Sequence, residues 1–200
     1  MKLEHLETAR LRIRQFDERD LEHCLRFRRD VFGLDEPRAN SQSWLKWTID
    51  SYRELANLGQ PPYADYAIVL QGSGEFIGSA GIVPTVLPWG ALKGDAQDTL
   101  VSPEIGLFWG ISPEFRRRGF ATEAAVALLD YLFHKLKARQ VVATTERDNI
   151  ASQRTMEKLG MRLFHNPNLE PPWCQVVGLI ANPQANESAQ FSSNVENQRR

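Results

Sequence analysis

Long apolar runs are missing from this chain. The longest, Ala124 to Phe133, is interrupted by Asp130 and is far shorter than the ~20 residues needed to cross a bilayer. The opening MKLEHLETARLRIR has no apolar stretch of the kind a secretory signal needs, so a soluble, cytoplasmic protein is expected, with no membrane partner. Cysteine is scarce. Cys24 and Cys174 stand far apart and form no CxxC pair, and His5, His23, His134 and His165 are scattered; no metal site is expected. The net charge is −1, so there is no general basic field for nucleic acid, and none is expected as partner. The P-loop spacing GxxxxGK[ST] and the dinucleotide fingerprint GxGxxG are both absent. No internal repeat is visible.

What is present suits an ordinary globular protein. Hydrophobic residues make up 42% and charged residues 24% of 200 positions, enough for one domain with a sizeable core. Leu11 and Ile13 alternate with Arg10, Arg12 and Arg14, a strand with one polar face. Asp17 opens a helix, with Asp20 as its capping-box-like partner, and Gly33 ends it. Residues 34 to 40 read as a loop broken by Pro37. Ser41 is placed to cap a second helix that Gly59 stops. Tyr66 to Leu70 and Phe76 to Val83 flank the turn Gly72-Ser73-Gly74, a hairpin. Residues 84 to 102 read as a long loop. Strands follow at Glu104 to Ile111 and Gln140 to Thr145, and helices at Ala121 to Leu136 and Asn149 to Leu159. Leu163 with Phe164, and Val176 to Ile180, make the last strands. The order predicts an α/β (mixed α+β) fold with a central mixed sheet of about seven strands and helices on both faces. From about Asn182 the chain is polar and reads as a weakly structured tail.

The segment Arg116 to Ala125, RRRGFATEAA, lies between a strand and a helix. The first amides of a helix have no intrahelical partners and carry partial positive charge. Gly119 lets a ligand approach the backbone, Ala121 is small, Thr122 adds a hydroxyl, and Arg116, Arg117 and Arg118 add charge. Such a segment is either a basic surface turn capping a helix or a site for phosphate oxygens.

Its flanks resemble the GNAT superfamily of acyl-CoA-dependent N-acyltransferases. The family pattern is Arg or Gln, two further residues, Gly, any residue, then Gly or Ala, as in Arg116-Arg117-Arg118-Gly119-Phe120-Ala121. It follows a strand ending in a hydrophobic-x-Pro step, here Ile111-Ser112-Pro113. TARLRIRQFDERDLE, EIGLFWGISPEFRRRGFATEA and ERDNIASQRTMEKLGM are similar to the opening, core and late helix of the subgroup that acetylates ribosomal-protein N-termini.

The resemblance implies a GNAT-like domain over residues 1–182, followed by a polar tail, 183–200. It implies acetyl-CoA as co-substrate and no metal. The backbone at Trp109 and Ile111 would run beside the pantetheine arm. The segment Arg116, Arg117, Arg118, Gly119, Phe120, Ala121 and Thr122 would hold the pyrophosphate, and Asn149 would contact the cofactor arm. Ser152 would donate a proton to the departing thiolate, hydrogen-bond its sulfur, or be a plain helix residue; the Tyr that many relatives use is absent between Asn149 and Gly160. Glu104 would remove the amine proton directly or through water, or be a strand-end acid in solvent. A backbone amide near the end of the Glu104 to Ile111 strand would face the developing oxyanion. The acceptor would be a small amine or a protein N-terminus, chosen by the loop after the first helix (Glu36, Arg38), the 84–102 loop (Trp89) and the 165–173 segment (Trp173). Cys24 reads as core, and Cys174 has no His partner to make it a nucleophile. A monomer or homodimer is expected. The competing reading is a non-catalytic acyl-CoA-binding sensor or scaffold.

Overall fold

The computed structural model describes residues 2–95 and 97–185. Its strands are β1 (His5–Glu7), β2 (Leu11–Gln15), β3 (Ala64–Leu70), β4 (Phe76–Leu87), β5 (Ser102–Ile111), β6 (Gln140–Thr145), β7 (Arg162–His165) and β8 (Val176–Ala181). They form one eight-stranded sheet in the order β1-β2-β3-β4-β5-β6-β8-β7. The helices are α1 (Leu21–Phe32), α2 (Arg38–Asn57), α3 (Trp89–Leu92), α4 (Phe120–His134) and α5 (Ile150–Lys158), with short 3-10 turns between. The mixed α/β class expected from the sequence is what the chain adopts. The strand beyond the expected seven is β1, too short at three residues to show a period. The chain clusters into two compact units. One holds everything up to Thr85 together with Gly106–Leu128; the other holds Val86–Ile105 and the residues from Leu129 on.

In the first unit, β2 buries Leu11 and Ile13 completely and turns its arginines outward. Arg14 reaches forward with both Nη atoms to Asp20, at 2.7 and 2.8 Å. Asp20 is buried and also accepts from the Asp17 amide at 2.9 Å. Asp17 in turn accepts from the Arg19 amide, completing the expected capping box. Cys24 and Phe27 of α1, Leu45 of α2 and Ala67 and Val69 of β3 share one core with Phe16 and Phe76. The helix α2 is fixed to β3 by Tyr52, whose hydroxyl donates to the Asp65 carbonyl and accepts from the Phe16 amide.

Ser41 does not cap α2, which begins at Arg38 after Pro37. Proline fits just before a first turn, where its missing N–H costs nothing. Ser41 instead lies inside the helix, buried, and its Oγ donates to Glu36 at 3.0 Å.

Bare glycines permit two close approaches in this unit, Gly78 to the backbone of β5 and Gly110 to α1. A Cβ on Gly78 would lie 2.2 Å from the Gly110 carbonyl oxygen. A Cβ on Gly110 would lie 2.8 Å from the Phe27 ring and 3.1 Å from Val31.

In the second unit, β8 lies between β6 and β7, antiparallel to both, with Val142↔Leu179 and Phe164↔Val177 in register. Leu87, Leu92, Val142, Phe164, Cys174 and Val177 pack together with Trp89 against them. The 84–102 segment is more ordered than a loop. Strand β4 continues through Pro84 to Leu87, because the exposed proline needs no ladder donor there, and α3 follows. Residues 183–185 form a helical turn begun by Asn182, whose Oδ1 accepts from the Gln184 amide at 3.0 Å. The rest of the expected tail, from 186, lies outside the described residues.

The Gly78 contact is with backbone, which cannot yield. Gly78→Ala is expected to lower the unfolding free energy by about 3 kcal/mol through overpacking. An unchanged urea midpoint would remove this close approach as a constraint.

Candidate active site

The strand β5 exits into the Arg116–Thr122 segment under tight control. The Ser112 amide donates to the Ile77 carbonyl at 2.9 Å, and a 3-10 turn, Pro113–Phe115, buries Phe115. Arg116 is extended (φ −64, ψ 162), and its Nε donates back to the Ile111 carbonyl at 3.0 Å. Arg117 then takes a left-handed conformation (φ 61), and so does Gly119 (φ 81). This suits glycine but costs a β-carbon residue such as Arg117 about 1–2 kcal/mol. From Phe120 the chain is helical.

A second chain segment braces this turn. Arg10, just before β2, donates from Nη1 to the Arg118 carbonyl at 3.0 Å and pairs with Glu123 at 2.6 Å. Its guanidinium lies 4.5 Å from the centre of the Phe120 ring. Glu123 also accepts from the Arg10 amide and from the Thr8 hydroxyl. Burial pushes the Glu123 carboxyl up, but the hydrogen bonds from Thr8 and Arg10 and the Arg10 charge outweigh it and hold the group below its usual range.

The helix's first internal bond runs from the Glu123 amide to the Gly119 carbonyl at 3.0 Å. Among the described residues, no acceptor meets any backbone N–H from Arg117 to Thr122. Arg116 to Gly119 are exposed. Glu123 is paired with Arg10, and no carboxylate pairs with Arg116, Arg117 or Arg118 among the described residues. The segment is therefore a row of unsatisfied donors within a local positive field, which binds anions.

The other expected residues lie in the second unit. Glu104, near the start of β5, is half-buried and held by several donors. Trp89 Nε1 at 2.6 Å and Ser102 Oγ at 3.2 Å reach its Oε1, and Gln140 Nε2 at 2.8 Å reaches its Oε2. A carboxylate offers about four lone-pair directions, so about one is left open. Trp89, expected among the acceptor contacts, is instead engaged here and packs edge-on against Phe164 at 5.6 Å.

Asn149 caps α5: its Oδ1 accepts from the Ser152 amide at 3.1 Å. The preceding turn is tied by Gln153 Nε2, which donates to the Arg147 carbonyl at 2.8 Å. Ser152 is half-buried, and its Oγ has no partner among the described residues. An open cleft of about 460 Å³ next to this turn is lined by Glu146, Arg147, Asp148, Pro172 and Gln175.

Trp109 is half-buried and Ile111 buried in β5. Of the acceptor candidates, Glu36 is bound to Arg28 at 2.7 Å, Arg38 pairs with Glu22 at the surface, and Trp173 is exposed. Neither thiol is poised for attack. Cys24 and Cys174 are buried, and burial pushes Cys24 to about 12. Burial raises Cys174 too, against a hydrogen bond with Asn166 that lowers it. Among the described residues no cluster of metal-ligating side chains occurs, and no helix is long and apolar enough to cross a membrane.

Sequence reading missed Arg10 and the Glu123 brace, which joins positions 113 apart in the chain. It also missed Trp89 and Gln140 as the partners that hold Glu104.

Residues 10–162 match the acetyltransferase (GNAT) domain. The YkkB protein of Bacillus subtilis (strain 168) is 32% identical over 168 residues, 78% of this chain and 84% of that protein. The uncharacterized N-acetyltransferase YnaD of the same organism is 42% identical over 59 residues, 30% of this chain and only 34% of its own length. The solved acetyltransferase from Agrobacterium tumefaciens has the same fold, with a TM-score of 0.66 at 23% identity over 90% of this chain and 95% of that one. The ribosomal alpha-N-protein acetyltransferase RimL, solved with coenzyme A, gives a TM-score of 0.62 at 16% identity over 89% and 98%. With the domain match spanning most of its length, the chain belongs to the GNAT family of acetyltransferases.

Proposed function

We propose that this protein is an N-acetyltransferase that moves the acetyl group of acetyl-CoA to a primary amine, by direct attack with both substrates bound. The amine is a peptide N-terminus or a small molecule. The observation that carries this reading is the row of amides from Arg117 to Thr122 without internal acceptors. A pyrophosphate fits it. It brings acceptor oxygens to those N–H groups and negative charge to Arg116, Arg117 and Arg118, and the bare Gly119 lets it come close. Small Ala121 and the ring of Phe120 complete the turn. Residues 1–182 act as one catalytic domain in the cytoplasm, as a monomer or homodimer.

Acetyl-CoA supplies an activated acyl group; the chain supplies placement and proton handling. The backbone at Trp109 and Ile111 is assigned to the pantetheine arm. Asn149 is assigned to the same arm through its Nδ2, since its Oδ1 already caps α5. Ser152, whose hydroxyl is unengaged among the described residues, protonates the leaving thiolate or hydrogen-bonds it. Glu104 uses its open lone-pair direction to take the amine proton, directly or through one water. An α-amino group with a pKa near ~8 asks little of such a base at neutral pH, whereas a lysine near ~10.4 asks more.

Isothermal titration with acetyl-CoA tests the loop. Gly119→Glu is expected to abolish binding through like charge and bulk. Gly119→Ala, whose Cβ would lie 3.5 Å from Arg10, reports the backbone strain alone and is expected to weaken binding much less. A folded Gly119→Glu protein with wild-type affinity would sink the pyrophosphate assignment.

Thiol release with a panel of primary amines tests the chemistry. Glu104→Gln is expected to lower turnover about 10²-fold and leave the acetyl-CoA Kd unchanged. Tight acetyl-CoA binding with no amine-dependent release in the wild type would turn the reading to a non-catalytic acyl-CoA sensor.

A further inference from the structure

Among the described residues, nothing employs the side chain of Asp65 structurally. It sits in β3 directly opposite Gly81 of β4, and directly paired residues of an antiparallel ladder share one face. Its row continues through Ala67 and Val69, so the carboxylate lies on the face covered by α1 and α2. Among the described residues no side chain donates to it or pairs with it; only its backbone carbonyl is engaged, by Tyr52. Burial, the larger influence, pushes the carboxyl up to about 7, against a pull downward from Arg28. The ionisable groups around it are Cys24 and Arg28 from α1 and Tyr52 from α2.

Among the described residues Arg28 is the one cation acting on Asp65, and it is committed elsewhere. Its Nη2 pairs with Glu36 at 2.7 Å, its Nε donates to the same carboxylate at 2.8 Å, and its guanidinium lies 4.8 Å from the Trp44 ring centre. An aromatic ring lies against the residue paired with Asp65. A Cβ on Gly81 would lie 2.3 Å from Phe108 Cε1, so the bare glycine lets that ring lie against the strand on the face Asp65 shares. A half-buried, unsatisfied carboxylate costs stability. Placed beside an aromatic ring, it is also what an ammonium group requires.

We propose that Asp65, with the Phe108 ring, binds the ammonium group of the acceptor, so that the acceptor enters on the α1/α2 face of β3 and β4 as a cation. This rests on the amine-acetylating reading above and names the residue that recognises its second substrate. Glu104 remains the group assigned to the reacting proton.

The sign of the pH dependence follows from the raised value. The stability penalty of the empty site is absent below the unfolded carboxyl pKa of about 3.9, grows as pH rises, and is complete above about 7. Asp65→Asn should therefore have a higher urea midpoint than wild type at pH 8 and an equal one at pH 4. An Asp65→Asn midpoint no higher at pH 8 would mean that the carboxylate has a structural partner, and would overturn the proposal.

The deciding experiment follows the Asp65 carboxyl carbon by NMR in the full chain, with phenethylamine and butylamine as probes. Either amine is expected to lower the Asp65 pKa. Asp65→Asn should weaken amine binding about tenfold or more with the acetyl-CoA Kd unchanged, and Phe108→Leu should weaken phenethylamine while keeping the carboxylate. An Asp65 titration that neither amine moves, or an Asp65→Asn protein that binds both amines as wild type does, would overturn it. These amine readouts need no acetyl transfer. A wild type that binds amines at Asp65 but not acetyl-CoA would fail the proposed activity alone.

Discussion

A row of backbone amides without acceptors is the constraint on which the local architecture depends. The Arg117 to Gly119 amides are exposed and those from Phe120 to Thr122 open a helix, so the run stays open, and contacts around it fix the direction it faces. Arg117 is held left-handed at φ 61, at a cost of about 1–2 kcal/mol. Hydrogen bonds at the loop's two ends offset it. Arg116 returns to the Ile111 carbonyl, and Arg10 grips the Arg118 carbonyl. Glu123 then gathers Arg10 and Thr8, so the start of β2 and the first turn of α4 are set by one carboxylate. The segment's affinity for an anion is thus a property of its braces as much as of its own sequence.

Local order was largely legible in the sequence. Strand β6 and the Asn149-capped helix α5 fall where their periodicity and cap put them. The Asp17/Asp20 capping box is made as its spacing implies. These features are decided within a few residues. What was not legible is decided across the chain. Ser41 looks like a helix cap until Glu36 claims its hydroxyl. Pro84 looks like a strand end until β4 passes through it on an exposed edge of its pattern. Arg10 reads as one of three alternating arginines, and nothing nearby marks it as the partner of Glu123. For the candidate site, the motif placed the donors of the loop. It could not say that Glu104 is anchored by Trp89 and Gln140, since those contacts come from α3 and β6.

The two carboxylates assigned to the amine differ in a way that sequence cannot express. Both are half-buried acids in strands. Glu104 is met by Trp89, Ser102 and Gln140, so its position is fixed and little of its acceptor capacity is open. Such a group is suited to acting on a proton delivered at one angle. Among the described residues no side chain donates to Asp65, so its acceptor positions are open to whatever cation arrives.

The state of Arg28 makes that difference informative. An unengaged guanidinium there would be available to Asp65, whose carboxyl it already pulls downward. Glu36, itself held by Ser41 from inside α2, binds Arg28 on two nitrogens, and Trp44 lies against the same guanidinium. The fold therefore keeps the nearest positive charge from closing the site. Because both Arg28 nitrogens converge on Glu36 Oε1, a charge-assisted contact, turning Arg28 to Asp65 would break the ion pair with Glu36. Among the described residues Arg28 is the cation that acts on Asp65, and with Arg28 committed the site is open to one from outside.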